Sequence, residues 1–319
     1  MQQTAKGNPS KHNQATIFSR TLHGIRWLAQ SKKAIVGGVI FFFLLIVFLS
    51  APVIAPFDPL ELKVGPTYSP PGGGHLFGTD NFGRDLFSRI LYGGRTSLFL
   101  VMVVVAASTL LGTVFGLLTG YFGGLVDMIF MRAADIVFSL PLLLLAIMVA
   151  AIVGAGVPVI LIVLITVYTV TTTKIIRGTV LSVKQREYVE AARNAGESHF
   201  AVITRYVLPN CTAPIIVQAS MLTADALLNE AAISFLGLGV HTPNTSLGLI
   251  FNECSSYLRS SPYMSLITGA VIVLLVLSAN IFGDGLRDLL DPRFSGKLTT
   301  RARLRMRRKA EAQQEVCES

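Results

Sequence analysis

Residues 187–210 read EYVEAARNAGESHFAVITRYVLPN. This is the most charged stretch lying between long apolar runs in the second half of the chain. Tyr188, Ala191, Ala192 and Ala195 recur at the spacing of one helix face, with Glu190, Arg193 and Asn194 beside it. Residues 182–185 read S-x-x-Q, the pattern of a capping box, so the helix is expected to begin there. Gly196 suits the left-handed position that ends helices, and Pro209 follows just before the next apolar run. A face made mostly of alanines lets another protein come close without leaving the free chain greasy, which suits docking in a groove of a soluble partner. An ordinary connecting helix is the plainer alternative.

Outward from this island the chain is built for lipid. Of its 319 residues, 52% are hydrophobic and only 14% charged, against about 25% charged in soluble domains, and the mean hydropathy is +0.60. Apolar runs at 34–54, 97–118, 133–153, 158–173, 215–236 and 266–282 predict six membrane-spanning helices in an all-α protein. Pro141 lies inside the third and predicts a kink. Under a six-span layout, all but five of the 27 Lys and Arg fall on the side of the island and both termini. The five are Lys63, Arg84, Arg89, Arg95 and Arg259. The positive-inside bias then places the island and both termini in the cytoplasm.

The expected organisation is a cytoplasmic segment at 1–33, a membrane domain at 34–293 and a basic cytoplasmic tail at 294–319. Within the membrane domain, 55–96 and 237–265 are outer loops and 174–214 is the cytoplasmic island. The polar start and the full-length run after it argue against a cleaved signal peptide. The net charge of +9 sits in clusters beside apolar runs, and no folded recognition module accompanies it, so nucleic acid is a poor candidate partner. The basic tail suits anionic membrane lipid. Cys211, Cys254 and Cys317 are far apart and imply neither a disulfide framework nor a metal site.

Three further features carry positional meaning. In 78–98, GTDNFGRDLFSRILYGGRTSL, the recurrence of Phe82, Leu86 and Ile90 predicts an amphipathic helix on the membrane surface or packed over the spans, with Arg84, Asp85, Ser88 and Arg89 off its apolar face. Gly112, Gly116 and Gly120 predict a close helix–helix packing face. Gln218, Asp225 and Asn229 in the fifth run fall on one side of a 3.6-residue helix. A carboxylate there is costly against lipid, so this side is expected to line a pore or meet a neighbouring helix or subunit. Glu230 is expected to reach the headgroups. The sequence holds no G-x-x-x-x-G-K-[ST] phosphate loop and no H-E-x-x-H, and no catalytic constellation is evident.

These residues together resemble the permease subunits of ABC importers, specifically the second permease of the dipeptide/oligopeptide/nickel family. The likeness is carried by 78–98, by EAARNAG at 190–196 with YVLP at 206–209, and by EAAISFLGLGV at 230–240 with NIFGDGLRDLLDPR at 280–293. It implies the type I importer permease fold in a bacterial inner membrane. Glu190, Ala191, Ala192 and Gly196, with Leu208 and Pro209, match the signature of the cytoplasmic helix that docks on an ATPase. The implied partners are a homologous permease in a heterodimer, two ATPase subunits and an extracytoplasmic solute-binding protein. ATP and magnesium are then held by the ATPases and no cofactor by this chain. Small peptides are the family's commonest cargo; nickel or another small solute, and a self-sufficient secondary transporter, are the alternatives. Two positions depart from the family. Tyr206 stands where the broad signature has isoleucine, with only packing expected to change. Leu247 stands where many relatives have tryptophan, which bears on cargo choice or on docking of the binding protein.

Overall fold

A computed structural model describes residues 31–290. Nearly all of the N-terminal segment, the basic tail and the last residues of the 280–293 motif lie outside these described residues. No strand occurs among them; two isolated bridges, Gly72 with His75 and Thr79 with Asp85, are the extent of β pairing. The helices are α1 (Lys32–Leu49), α2 (Ala51–Ile54), α3 (Leu86–Phe122), α4 (Gly124–Phe138), α5 (Leu142–Val153), α6 (Val157–Val183), α7 (Glu187–Asn194), α8 (His199–Val202), α9 (Leu208–Phe235), α10 (Leu247–Ser255) and α11 (Pro262–Leu290). A π-helical turn, Ile203–Val207, joins α8 to α9.

Five described helical stretches are long and apolar enough to cross a membrane: α1, α3, α6, the α8–α9 run and α11. The third expected span is not one straight helix. α4 and α5 meet at 91°, and only as a broken pair do they make a sixth crossing. The break falls at Ser139–Pro141. Proline has no N–H to give the helix, and its ring pushes Leu140 away from helical angles. Ser139 ends α4 with its hydroxyl donating to the Ile136 carbonyl at 2.7 Å. Alone, the 12 residues of α5 reach about 18 Å, short of a hydrocarbon core of about 30 Å.

α3 has the opposite character. Its 37 residues extend about 55 Å, well past both faces of a bilayer. The expected amphipathic helix and the second span are therefore one continuous rod starting at Asp85, whose carboxylate caps it by accepting the Ser88 N–H at 2.8 Å. The expected burial of that outer turn is reversed for its polar residues. Arg84, Asp85, Ser88 and Arg89 are buried, whereas Phe82 is exposed. The cause is ionic. Asp80 accepts from Arg89 at 2.7 Å and also pairs with Arg84, and Glu253 of α10 takes both guanidinium groups, at 2.9 and 2.8 Å. Such charges can be buried because each has a counterion at hydrogen-bond distance. Nearby, Asp85 also faces His75 Nδ1 at 2.9 Å.

The most extensive helix pair is α3 against α6, and the three glycines run along it. A Cβ on Gly112, Gly116 or Gly120 would stand 2.5–2.7 Å from Cβ of Thr172, Ile176 or Val180 respectively. Two i, i+4 rows thus interlock at backbone distance. Lipid provides no hydrophobic drive between helices, so such close van der Waals contact is what holds them together. α1 and α9 pack on α11, and Leu222, Leu164, Leu98 and Ile250 sit in the common core.

Candidate functional site

The end of the α3–α6 pair at Tyr121 and Val183 carries the charged island as a seated helix rather than a free loop. α6 runs on to Val183, so Ser182 is not a cap: it lies inside α6 and its hydroxyl donates to the Thr179 carbonyl at 2.8 Å. The chain stays helical because Val180 and Val183 continue the buried face of α6. α7 begins at Glu187 after Arg186, with no side-chain cap. Glu187 and Glu190 in its first turn and Arg193 in its last complement the helix dipole.

The faces of α7 divide differently from the alanine stripe. Val189 and Ala192 turn inward and join Tyr121, Ile176, Val180, Val202 and Val207 in a small core. Tyr188, Glu190, Ala191, Arg193, Asn194, Ala195 and Gly196 are exposed. Ala192 therefore seats the helix, while Ala191 and Ala195 face outward beside Tyr188 and an almost bare Phe200. An eight-residue helix presenting alanines between two aromatics, with Glu190 and Arg193 at its rim, offers a partner both close approach and anchors. Lys184, Gln185, Glu190 and Arg193 border a recess of 380 Å³ there.

Gly196 has φ +83°, a conformation that strains any residue with a Cβ. The Gly196 N–H donates to the Arg193 carbonyl at 3.1 Å and the Glu197 N–H to the Ala192 carbonyl at 3.2 Å, the paired bonds of a Schellman ending. Three contacts then fix the island to the membrane helices. Tyr121 OH lies 3.0 Å from His199 Nδ1, Arg193 stands over the Tyr121 ring at 5.8 Å, and Lys184 donates to the Gly120 carbonyl at 2.9 Å. Tyr121 closes an apolar run and His199 is one of five scattered histidines, so no pattern in the sequence marks either.

Leu208 and Pro209 open α9 directly after the π turn. Pro209 cannot donate to the Arg205 carbonyl and its ring crowds that oxygen, which is the ordinary reason a helix widens at this point. Tyr206, on the widened turn, does more than pack: its hydroxyl donates to Glu197 Oε1 at 2.8 Å and ties the turn back to the end of α7.

Further along α9 the three polar residues meet different surroundings. Gln218 is buried, Asp225 is exposed on the chain's surface, and Asn229 donates to Tyr168 OH at 3.0 Å and to the Asp225 carbonyl at 2.9 Å. Glu230 does not reach the headgroups. It is 1% exposed, receives the Ser234 hydroxyl at 2.9 Å, and lies against Ser97 and Ser246 as well. Those two serines also accept the N–H groups of Leu247 and Leu249, so one carboxyl joins α3, α9 and the start of α10. Leu247 is itself buried in this joint, which makes it a packing residue within the chain. Cys254, also in α10, is buried, and burial pushes its thiol up to about 11. Among the described residues no group of three or more His, Cys, Asp or Glu is placed to hold a metal ion.

The family described as binding-protein-dependent transport system inner membrane component matches residues 112–296. The dipeptide transport system permease protein DppC of Alkalihalophilus pseudofirmus is 36% identical over 286 residues, covering 90% of this chain and 94% of that protein. The Bacillus subtilis protein of the same name is 34% identical over 292 residues, 90% of this chain and 91% of that one. The di/tripeptide transport system permease protein DppC of Pseudomonas aeruginosa is 39% identical over 270 residues, 82% and 89% respectively.

Proposed function

The chain belongs to the family of binding-protein-dependent transport system inner membrane components, with the type I permease fold, and on that premise we propose that it forms half of a peptide-conducting pore driven by separate ATPase subunits. The observation that carries this reading is the exposed face of α7. Glu190, Ala191 and the turn at Gly196 are presented outward while Val189 and Ala192 lock the helix onto the inner ends of α3 and α6. A load applied to this face has a rigid path into the membrane through Tyr121, Lys184 and the π turn before Pro209.

The ATPases hold ATP and magnesium; this chain contributes the docking helix. ATP binding draws the two ATPases together, α7 follows, and α9 tilts with it through Tyr206 and Pro209. The membrane helices then open outward to receive a small peptide from the extracytoplasmic binding protein and inward after hydrolysis. Coupling requires ATP and cargo to favour different states, since a ligand shifts an equilibrium only by its differential affinity. The charge bias of the loops supports cytoplasmic placement of α7 and both termini. Asp225 supports a second subunit: an exposed carboxylate on a spanning helix is tolerated against protein or water, not hydrocarbon. Asn229, hydrogen-bonded beside it, belongs with it as a candidate pore or interface residue, whereas Gln218 is buried within the chain. The dipeptide and di/tripeptide names of the relatives support small peptides as cargo.

Reconstitution tests this directly. Vesicles holding the chain with its partner permease and ATPases should take up a labelled dipeptide only when ATP and the binding protein are both supplied. The chain alone should give none. Uptake by the chain alone under an ion gradient would replace this reading with a secondary transporter.

A further inference from the structure

At the end of α3 opposite to α7, a furrow of 560 Å³ opens between α1 and α3. Its α3 wall is formed by Tyr92, Arg95, Phe99 and Met102 and its α1 wall by Leu45 and Leu49. Arg95, Phe99 and Met102 are spaced i, i+4 and i+7, so they form one stripe about 10 Å long that descends from a cation to apolar side chains. Leu45 and Leu49 are one turn apart on the facing helix. Leu49, Phe99 and Met102 are each more than half exposed.

The charge at the top of this furrow is set apart from its neighbours. Arg84 and Arg89 are both neutralised by Asp80 and Glu253. Arg95 is exposed and has no ion-pair partner among the described residues. A guanidinium at the boundary of a hydrocarbon core, above a strip of apolar surface, calls for one anionic oxygen group carrying a long apolar chain. We propose that this furrow binds an anionic phospholipid, its phosphate on Arg95 and one acyl chain lying along Phe99, Met102, Leu45 and Leu49. A guanidinium is suited to the phosphate because its N–H fork matches two phosphate oxygens. The acyl chain adds contact with surface that is otherwise bare, at Leu49, Phe99 and Met102.

The test is the lipid retained by the detergent-purified complex, measured by mass spectrometry after exchange with equal amounts of phosphatidylglycerol and phosphatidylcholine. The native chain should retain phosphatidylglycerol preferentially. Arg95→Gln should lower that preference about fivefold, the worth of one basic residue near an anionic headgroup, and Arg95→Lys should largely keep it. Arg259→Gln, an exposed arginine of the same side, should change nothing. A photoreactive amino acid at Phe99 should give a lipid adduct in membranes. Equal retention of the two lipids by the native chain, unchanged preference in Arg95→Gln, or a Phe99 adduct to another protein subunit in place of lipid would each overturn the proposal.

Discussion

Replacing Gly196 by valine will separate ATP hydrolysis from uptake. A Cβ at this position meets nothing within 4 Å, so the substitution creates no clash there. Its cost is conformational. At φ +83° a residue with a Cβ is strained by about 1–2 kcal/mol, and β-branching makes valine a poor occupant. Release of that strain unwinds the Schellman turn and shifts Glu197, and with it the Tyr206 hydroxyl that ties α7 to the π turn. The strain corresponds to roughly a fivefold to thirtyfold bias against the seated geometry. Dipeptide uptake in reconstituted vesicles should fall by that factor, while the variant inserts, assembles and still supports ATP hydrolysis. Gly196→Asn, which tolerates the left-handed region, should keep most of the uptake. Normal uptake by the valine variant would remove Gly196 from the coupling path.

Loss of Arg89 is expected to be the most damaging single change to stability. Its side chain is 1% exposed and bridges Asp80, in the segment before α3, to Glu253 in α10. Arg89→Ala leaves two carboxylates, Asp80 buried and Glu253 about one-fifth exposed, facing one remaining guanidinium. Breaking a buried pair from one side costs about 3–5 kcal/mol, because the partner charge stays buried without compensation. The lower end applies here, since Arg84 still reaches both carboxylates. The purified variant should unfold at a clearly lower temperature and its 55–96 segment should become sensitive to added protease. Arg259→Ala, on an exposed residue of the same side, should match the native chain in both measurements. Equal stability of the Arg89 variant would mean that the network contributes no net stabilisation to the contact between the 55–96 segment and α10.

Much of the architecture is legible in the sequence because lipid imposes long apolar runs and glycine spacing that need no knowledge of packing. The family and the permease fold follow from residues 78–98, from 190–196 with 206–209, and from 230–240 with 280–293, and the matches to dipeptide permeases support both. What stays hidden depends on contacts between distant segments. Nothing local distinguishes a buried Arg89 from a solvated one; its burial depends on Glu253, far along the chain. The i, i+4 recurrence of Phe82, Leu86 and Ile90 marks the buried side at Leu86 and Ile90 but not at Phe82, which precedes α3, and it carries no sign that the charged residues beside them are buried too. The same limit affects α7. Periodicity groups Ala192 with Ala191, whereas Val189 selects which side is seated by joining Val180 and Val202 in one buried cluster. Pro141 announces a bend but carries no measure of its size, which is 91° between α4 and α5. Glu230 reads as an interfacial carboxylate because the serines that enclose it come from three different elements.

The central claim, that α7 is the surface on which an ATPase acts, is most directly tested by cross-linking from its two adjacent alanines. Cys211 and Cys254 are buried, so with Cys317 replaced by serine an introduced cysteine on α7 is the reactive one in the described part of the chain. Ala191→Cys, exposed, should form an adduct with an ATPase subunit whose yield changes when ATP is bound. Ala192→Cys, turned into the core, should form little. Equal yields at the two positions, or no ATPase adduct from Ala191→Cys in a complex that transports normally, would contradict docking through this face.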